Sequence, residues 1–292
     1  MTRGERIIVT GAGGFIGRRL VARLQTKGTE VLAWTRDTGD LTEARAVQAT
    51  VTGFAPTAIV HLAAGDSAVA EADWRYIAAE VAMLDNLARA MPPSARLVHC
   101  GSVAEIGRSG RLVEDEPVRP RSVYGFAKAA ATDRALALST MGFDVRVARL
   151  FNVYGPGEAK RRLVPHLVTH LLAGQPVLLS DAEQLRDFVY VDDVCDCLLA
   201  LARLDAMPWP MLNVGTGIGV SVGAVARRVA DRLGADPALL RFGALPRRPI
   251  DEDVLVAEVG RLSALDLLPL QHWLEEGGAV DAFIAGLAQT EQ

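Results

Sequence analysis

A tyrosine and a lysine four residues apart are the side chains of this sequence best suited to acid–base chemistry. Tyr124 and Lys128 stand in "SVYGFAK", and their separation places them on one face of a helix. A phenol of ordinary pKa, about 10, is a poor base at neutral pH, and bringing that pKa to about 7 requires about 4 kcal/mol. A neighbouring ammonium group supplies part of this energy because it favours the phenolate. The spacing predicts a proton-transfer site, in which the Tyr124 phenolate would act as a base and, in the reducing direction, Tyr124 would give its proton to a carbonyl oxygen.

A glycine-rich stretch near the start of the chain could bind phosphate. "TGAGGFIG" follows a short apolar strand and opens a helical pattern, with Gly11, Gly14 and Gly17 at three-residue intervals. Glycines permit a tight turn and a close approach of the backbone to a pyrophosphate, and the helix start offers free N–H groups. The pattern predicts a dinucleotide site. Its expected contacts are Gly11, Gly13, Gly14, Phe15, Ile16 and Gly17.

The end of the second predicted strand, "VLAWTRDTGD" at 31–40, indicates which dinucleotide would bind. A site for NAD usually has an acid there, which accepts a hydrogen bond from the ribose 2′-hydroxyl. Here Thr35 is small enough to admit a 2′-phosphate, and Arg36 could pair with it in fork geometry. We predict NADP(H) as the cofactor. NAD remains the alternative, because slippage by one residue would let Asp37 act as the acid or pair with Arg36.

Strands alternate with helices over the first half of the chain. Strands are predicted at 6–10, 30–35, 58–64, 95–102 and 144–152, and helices at 18–28, 40–53, 71–91 and 124–141. This alternation predicts an α/β fold built on a Rossmann-type, doubly wound parallel sheet. After "GPG" at 155–157 the pattern loosens into short mixed segments. We expect a dinucleotide-binding domain over 1–160, to which the chain returns at about 186–216, and a smaller substrate-binding lobe mainly within 161–292.

Composition narrows the class of protein and of partner. The 292 residues are 50% hydrophobic and carry a formal net charge of −4, without a basic tail. These values predict a soluble globular protein that binds neither nucleic acid nor a membrane surface. Cys100, Cys195 and Cys197 give no disulfide framework, and the first apolar run is too short for a signal peptide. A cytoplasmic location is expected.

Taken together, these motifs resemble the extended short-chain dehydrogenase/reductase family of nucleotide-sugar epimerases, dehydratases and reductases. Besides the glycine loop and "YGFAK", the similar segments are "HLAA" (61–64), "CGSVAEIG" (100–107), "RLFNVYGPG" (149–157), "RDFVYVDDV" (186–194) and "LNVGTG" (212–217). They cover most of the chain. The longer signatures are far more specific than the glycines alone.

The resemblance implies a role for each residue that matches a family motif. Ser102 takes the place of the catalytic serine or threonine, beside Tyr124 and Lys128, and these last two also meet the nicotinamide ribose. Further cofactor contacts are implied for Asp40, Leu41, Leu62, Ala63 and Ala64. Contacts with a nucleotide diphosphate sugar are implied for Ser102, Asn152, Arg186, Arg248 and Asp251, the arginines pairing with phosphate and the aspartate with ribose.

Departures from the family pattern reduce the number of reactions that the site could catalyse. Val103 and Ala104 stand where 4,6-dehydratases have acids, and Glu105, in extended chain, would face the other way, so dehydration is disfavoured. Glu80 replaces a usual asparagine and is not expected to be catalytic. The third strand of the sheet is expected to be missing, because only "DTG" separates the second strand from Asp40.

The favoured hypothesis is an NADP(H)-dependent reductase of a nucleotide-linked 4-keto-6-deoxy sugar. The alternative is a nucleotide-sugar 4-epimerase with tightly bound NAD, and a third is a non-catalytic dinucleotide-sensing protein on the same fold. A homodimer is expected, packed through the helix after "HLAA" and the Tyr–Lys helix. No metal site is expected: His166 and His170 are read as packing residues. Lys160, Arg161 and Arg162 fit either a phosphate contact or a solvated loop.

Overall fold

The computed structural model of the protein describes residues 4–64, 74–268 and 278–291. The chain forms two compact units. The first comprises Met1–Gly107, Glu114–Leu150 and Cys195–Asn213, and the second comprises Arg108–Val113, Phe151–Val194 and Val214–Gln292. The division after Leu150 lies before the expected boundary at 160, and the return to the first unit covers 195–213 within the expected 186–216.

Short strands and longer helices alternate along the described chain. The strands are β1 (Arg6–Thr10), β2 (Glu30–Trp34), β3 (Ala58–His61), β4 (Arg96–Ser102), β5 (Gly110–Leu112), β6 (Val145–Leu150), β7 (Asn152–Tyr154), β8 (Val177–Leu178), β9 (Leu185–Tyr190), β10 (Met211–Val214), β11 (Gly219–Ser221), β12 (Leu240–Arg241) and β13 (Val254–Ala257). The helices are α1 (Phe15–Thr26), α2 (Ala44–Phe54), α3 (Arg75–Ala90), α4 (Val123–Thr140), α5 (Leu163–Leu172), α6 (Val191–Arg203), α7 (Val222–Leu233), α8 (Gly260–Ala264) and α9 (Ala279–Glu291).

The first unit is built on a sheet with the strand order β10-β6-β4-β3-β1-β2. The pairings from β2 through β6 are parallel. Parallel strands are covered on both faces, which explains why β3 and β6 are buried along their whole length. Ile8, Ile59, Leu97 and Val147 join helix residues in one apolar core. The predicted Rossmann-type α/β sheet is confirmed.

Two expectations about the strands meet different outcomes. In the described residues β2 is an edge strand that pairs with β1 alone, so the strand expected to be missing is absent from this edge. The strand predicted over 144–152, in contrast, is two strands. β6 ends at Leu150, and β7 begins at Asn152 in the other unit, where it pairs with β9. The strand pattern over 144–152 did not reveal this change of partner strand.

For the helix predicted at 71–91, residues 71–73 lie outside the described residues.

The second unit has its own sheet and core. Its strands follow the order β11-β9-β13-β5, with β7 against β9 and a separate β12-β8 pair. Helices α5, α7 and α9 pack together, and their core includes Leu167, Val225, Phe283 and Tyr154. Ser221 accepts a hydrogen bond from the backbone N–H of Ala224 and so caps α7. Across the described segments, no helix is both long enough and apolar enough to cross a membrane.

Candidate active site

Tyr124 and Lys128 lie in the first two turns of α4, as their spacing predicts. The helix begins after Ser122, whose Oγ accepts a hydrogen bond of 3.0 Å from the backbone N–H of Gly125. A Cβ on Gly125 would come within 2.5 Å of the carbonyl oxygen of Ala104, so this turn packs closely against the loop after β4. Tyr124 is half-buried and Lys128 is buried. The close approach brings the tyrosine's helix against the loop that begins at Ser102.

Ser102 ends β4 and starts a short 3₁₀ turn, Val103–Glu105. Its Oγ accepts a hydrogen bond from the N–H of Ala104 at 3.3 Å, and the hydroxyl proton remains able to point toward a substrate oxygen. Lys128 Nζ lies 3.4 Å from the carbonyl oxygen of Cys100, two residues earlier on the strand. The structure therefore brings Ser102, Tyr124 and Lys128 to one end of the central sheet.

The expectation for Glu105 was wrong, because the chain is not extended there. Glu105 turns back, and its Oε1 accepts hydrogen bonds from the Ser102 N–H at 2.6 Å and the Thr132 hydroxyl at 3.0 Å. Its Oε2 lies 3.1 Å from Nε of Arg149, and both side chains are fully buried. Burial raises the pKa of Glu105, against the opposing influence of Arg149 and these hydrogen bonds. Glu105 thus holds in place the segment from Ser102 to Glu105, called the serine loop below. Val103 and Ala104 remain the side chains at the positions where dehydratases have acids.

Glu80 contacts the predicted site lysine, which the sequence did not indicate. It is fully buried on α3, and its Oε2 lies 3.1 Å from Nζ of Lys128. Burial acts to lower the pKa of Lys128, but Glu80 together with Tyr124 and Tyr76 acts in the opposite direction, so the pKa of Lys128 is raised. Lys128 is therefore an ammonium held by a buried counter-ion. The signal in the sequence was the acid standing in place of the usual asparagine.

Two buried histidines face the same lysine from the strands. His61 Nδ1 lies 2.8 Å from the Thr10 hydroxyl, and its ring centroid is 5.7 Å from that of His99. Burial lowers the pKa of His61 to about 3, and the Lys128 charge acts in the same direction. The pKa of His99 is lowered for the same reasons. Both rings are consequently neutral at physiological pH.

The predicted glycine loop forms a close turn between β1 and α1. Gly11 has φ +64, and a Cβ there would lie 2.7 Å from the backbone of Leu62 and Ala63. A Cβ on Gly17 would lie 2.2 Å from the carbonyl oxygen of Gly11. Gly13, in contrast, faces open space: its nearest neighbour would be Thr35 Cγ2 at 3.8 Å. Gly14 is the N-cap of α1, and Phe15 and Ile16 are half-buried in the first turn. This cradle, with the free N–H groups of a helix start, fits a dinucleotide pyrophosphate.

A cavity of about 430 Å³ continues from this loop along the end of β2. Of the predicted cofactor contacts, it is lined by Gly11, Thr35, Arg36, Asp40, Leu41, Ala63 and Ala64. Leu62 is half-buried but does not line the cavity. Helix α3 adds wall residues that the sequence did not indicate: Tyr76, Ala79, Glu80 and Met83. The cavity has the position and lining expected for the adenosine half of a dinucleotide.

The end of β2 turns immediately after Trp34. The N–H of Thr38 donates to the carbonyl of Thr35 at 3.1 Å, and Thr38 Oγ1 accepts from the N–H of Thr35. Thr35 and Arg36 line the cavity, whereas the neighbouring acid, Asp37, does not, although Arg36 and Asp37 are both exposed. Asp40 is held at the rim by hydrogen bonds of 2.8 Å from the backbone N–H and the hydroxyl of Thr42, which lower its pKa.

Apart from Ser102, the residues implied to meet the substrate lie in the second unit. Arg186, on β9, donates from Nη1 to the carbonyl oxygens of Leu185 and Glu252, each at 2.8 Å. Arg248 Nη2 lies 2.9 Å from Asp251 Oδ1. Burial lowers the pKa of Arg186; the charge of Arg248 acts in the same direction, and that of Asp251 acts against it. Asn152 starts β7, and within the described residues its buried Oδ1 has no hydrogen-bond partner. The unit thus brings Arg186, Arg248 and Asp251 together.

Asp187 connects two of the segments that resemble family signatures. Its carboxylate accepts hydrogen bonds from the backbone N–H groups of Thr216, Gly217 and Ala257 at 2.8–3.1 Å, and from the Thr216 hydroxyl at 2.7 Å. Asp187 belongs to "RDFVYVDDV", and Thr216 and Gly217 belong to "LNVGTG". The side chain is completely buried. It therefore holds the second segment beside β9.

The remaining polar candidates include His166, His170 and Arg162, each of which contacts a neighbouring side chain. The rings of His166 and His170 contact each other on α5, tilted by 47° with centroids 3.9 Å apart, and His170 Nδ1 lies 2.9 Å from the carbonyl oxygen of His166. In the described part of the chain, no group of three or more His, Cys, Asp or Glu residues could hold a metal ion. Arg162 lies 3.5 Å from Glu158, an acid whose pKa burial raises to about 7.

Comparison with known proteins places these features in one family. The model of the NAD dependent epimerase/dehydratase family matches residues 7–215. A dTDP-4-dehydrorhamnose reductase of Streptomyces griseus is 31% identical over 92% of this chain and 90% of its own. A UDP-glucose 4-epimerase of Mycolicibacterium smegmatis is 31% identical over 79% and 83%. The solved dTDP-glucose 4,6-dehydratase of Streptomyces venezuelae has a TM-score of 0.82 and 26% identity, covering 98% of this chain and 100% of that one. The chain belongs to the NAD-dependent epimerase/dehydratase family.

Proposed function

We propose that the protein is an NADP(H)-dependent reductase of a nucleotide-linked 4-keto-6-deoxy sugar. Tyr124 donates its proton to the C4 carbonyl oxygen, Ser102 hydrogen-bonds the same oxygen, and Lys128 holds the nicotinamide ribose. The nicotinamide supplies the hydride when it is bound. Asn152, Arg186 and Arg248 bind the nucleotide diphosphate, and Asp251 binds its ribose. This assignment of roles is supported by the intact Ser–Tyr–Lys set at the end of the sheet.

The observation that carries the cofactor preference is the cavity wall at the end of β2. Arg36 lines the cavity with Thr35, and the acid that would accept from a ribose 2′-hydroxyl, Asp37, does not. A guanidinium pairs with a 2′-phosphate through two parallel hydrogen bonds, and the small Thr35 leaves room for it. A soluble pool of NADPH suits a net reduction.

The choice among reactions depends on the serine loop. Dehydration requires acids near the sugar, and Val103 and Ala104 supply none. Reduction needs a proton donor, a carbonyl contact and a hydride source, and the site offers the first two. The reductase of Streptomyces griseus is similar over nearly the whole chain.

A nucleotide-sugar 4-epimerase with tightly bound NAD is the second candidate. It is favoured by the similar UDP-glucose 4-epimerase and by the NAD named with the similar dehydratase structure. The same Ser102, Tyr124 and Lys128 would serve it, with the hydride returned to the opposite face of the sugar. The two candidates differ in whether the cofactor is consumed. NAD retained through purification, with a sugar interconverted and no net oxidation of cofactor, would favour the epimerase.

The proposed function is tested by replacing Arg36 with alanine. Wild-type protein is expected to oxidise NADPH with a dTDP-linked 4-keto-6-deoxy sugar. In Arg36→Ala the kcat/KM for NADPH should fall by roughly 10- to 100-fold, because a charge-assisted phosphate contact of about 1.5–3 kcal/mol is lost. The value for NADH should change little, since NADH has no 2′-phosphate.

Arg45→Ala is the matched control, because it removes an exposed arginine from α2 that does not line the cavity. Both cofactors should keep their wild-type kinetics in this variant. Equal losses for NADPH and NADH in Arg36→Ala would contradict the assignment of the cofactor. No turnover of any keto-sugar nucleotide by the wild type would contradict the reductase itself.

We also propose that the protein is a homodimer packed through α3 and α4. The two helices pack side by side, with Arg134 Nε 2.5 Å from Asp85 Oδ1, and Phe126 is 52% exposed on α4. The alanines of α4 permit close approach of another helix. Light scattering should give twice the mass of the chain at micromolar concentration, and Phe126→Glu should shift it toward the monomer. A wild-type monomer would overturn the proposal.

A further inference from the structure

Helix α3 places a buried carboxylate against Lys128, the lysine that accompanies the proposed proton donor. Glu80 and Lys128 have side-chain exposures of 1% and 6%, and their charged atoms are 3.1 Å apart. A buried ion pair adds little net stability, since desolvation offsets most of the attraction. Stability therefore gives no sufficient reason for an acid at this position. Its contact with Lys128 points instead to a role in the chemistry of the site.

The charge of Lys128 and that of Glu80 have opposite effects on Tyr124. An isolated ammonium close to a phenol favours the phenolate, which serves an enzyme that needs a base. A carboxylate at contact distance turns that ammonium into a neutral pair, whose field falls off faster than that of a single charge. A phenol beside the pair retains its proton more readily than one beside an unpaired lysine. Carbonyl reduction needs this protonated phenol.

We infer that Glu80 is a positioning residue that acts through Lys128: it holds the ammonium and offsets its charge, so that Tyr124 remains a proton donor. This role rests on the proposed function, because it concerns the donor of a reduction. Glu80 does not take or give the proton. It sets how readily Tyr124 gives one.

Apart from Glu80, the described groups that face Lys128 come from two helices and two strands. Tyr76 faces it from α3, Tyr124 from α4, and His61, His99 and Cys100 from the strands. Burial keeps both histidines neutral, and it raises the pKa of the Cys100 thiol to about 12. Glu80 is the carboxylate among these described groups. Its removal would therefore leave the lysine charge without its buried counter-ion.

The test compares Glu80→Gln and Glu80→Asn with wild type in the presence of saturating cofactor. The first measurement is the pH dependence of kcat for keto-sugar reduction. We expect its basic limb to move to lower pH by about one unit or more, because the unpaired Lys128 favours the phenolate. The KM for the sugar should change little. Glu80→Asp, which keeps the charge, should keep the limb close to its wild-type position.

A second measurement needs no sugar. The tyrosinate absorption of each protein is titrated with cofactor bound, and the matching Tyr124→Phe double variant is subtracted to isolate Tyr124. The Tyr124 transition should move to lower pH in Glu80→Gln and Glu80→Asn. Asp281→Asn is the control for loss of a buried carboxylate, because Asp281 pairs with Arg228 in the second unit. It should lower stability without moving the transition.

The outcomes separate this role from the proposed function. If the wild type reduces no keto-sugar, the proposed function fails, and the tyrosinate titration still tests Glu80. An unchanged Tyr124 transition in folded Glu80→Gln or Glu80→Asn would overturn the role of Glu80. So would a transition that moves to higher pH. Glu80→Asn, with a shorter amide side chain, is the second variant if glutamine disrupts the packing.

Discussion

Replacing Tyr124 by phenylalanine is expected to lower kcat for keto-sugar reduction by roughly 10²- to 10⁴-fold, the usual contribution of a positioned general acid. The change removes one hydroxyl and keeps the ring. Without the phenol, the site loses the proposed donor that protonates the alkoxide as the hydride arrives. The KM values should change much less, because the hydroxyl acts chiefly in the transition state. Initial rates of NADPH oxidation measure the effect.

Ser122→Ala serves as the matched control for this variant. Ser122 caps the same helix through the Gly125 N–H at 3.0 Å, so its loss should weaken the start of α4 by about 1 kcal/mol. The hydroxyl of Tyr124 is untouched, and kcat should stay within a few-fold of wild type. If Tyr124→Phe kept full turnover while binding NADPH normally in a thermal-shift assay, both the reductase and the epimerase would be excluded.

The residues that the sequence located correctly depend on local geometry. Tyr124 and Lys128 share a helical face because four residues make about one turn. The glycine loop follows from a strand, a tight turn and a helix start within a dozen residues. Both patterns predict local structure without any knowledge of what packs against the segment. The Rossmann-type sheet was predictable for a similar reason, since the alternation of strands and helices limits the topology.

Contacts between segments distant in sequence were not predictable in this way. Glu80 and Lys128 are separated by 48 residues, and their ion pair exists because α3 packs on α4. The sequence showed only that an acid replaces the usual asparagine. The division after Leu150 was not apparent from the sequence either, because only one residue separates β6 from β7 and the two were predicted as one strand. Periodicity reports whether a strand is buried and not which sheet it joins.

The turn at Glu105 is different, because the sequence did contain its signal. Ser102-Val103-Ala104-Glu105 is a serine followed three residues later by glutamate, the pattern of a capping box. The structure forms that box, and Glu105 returns to the Ser102 N–H. Reading the segment as extended chain missed the pattern. The mistaken prediction for Glu105 was therefore avoidable, whereas its buried contact with Arg149 required the fold.

Gly17→Ala is expected to disrupt the dinucleotide cradle more than any other single methyl group added to this loop. The new Cβ would lie 2.2 Å from the Gly11 carbonyl oxygen and 2.8 Å from Cα of Ala12. Both are backbone atoms, so no side-chain rotation relieves the overlap, and α1 must move away from β1. Overpacking of this kind costs about 1–3 kcal/mol of unfolding free energy. It also displaces the N–H groups that would bind pyrophosphate, so affinity for NADPH should fall by about 100-fold.

Two glycine variants separate the overlap from the loss of glycine itself. Gly13→Ala lies in the same loop with its nearest neighbour at 3.8 Å, and should keep the wild-type melting temperature. Gly53→Ala lies within α2 with nothing inside 4 Å, and should raise stability by up to about 1 kcal/mol while NADPH binding is unchanged. Melting temperature and NADPH titration are measured for all three. Wild-type stability and affinity in Gly17→Ala would mean that α1 and β1 are not held as close as the structure has them, and the pyrophosphate would then have to bind elsewhere.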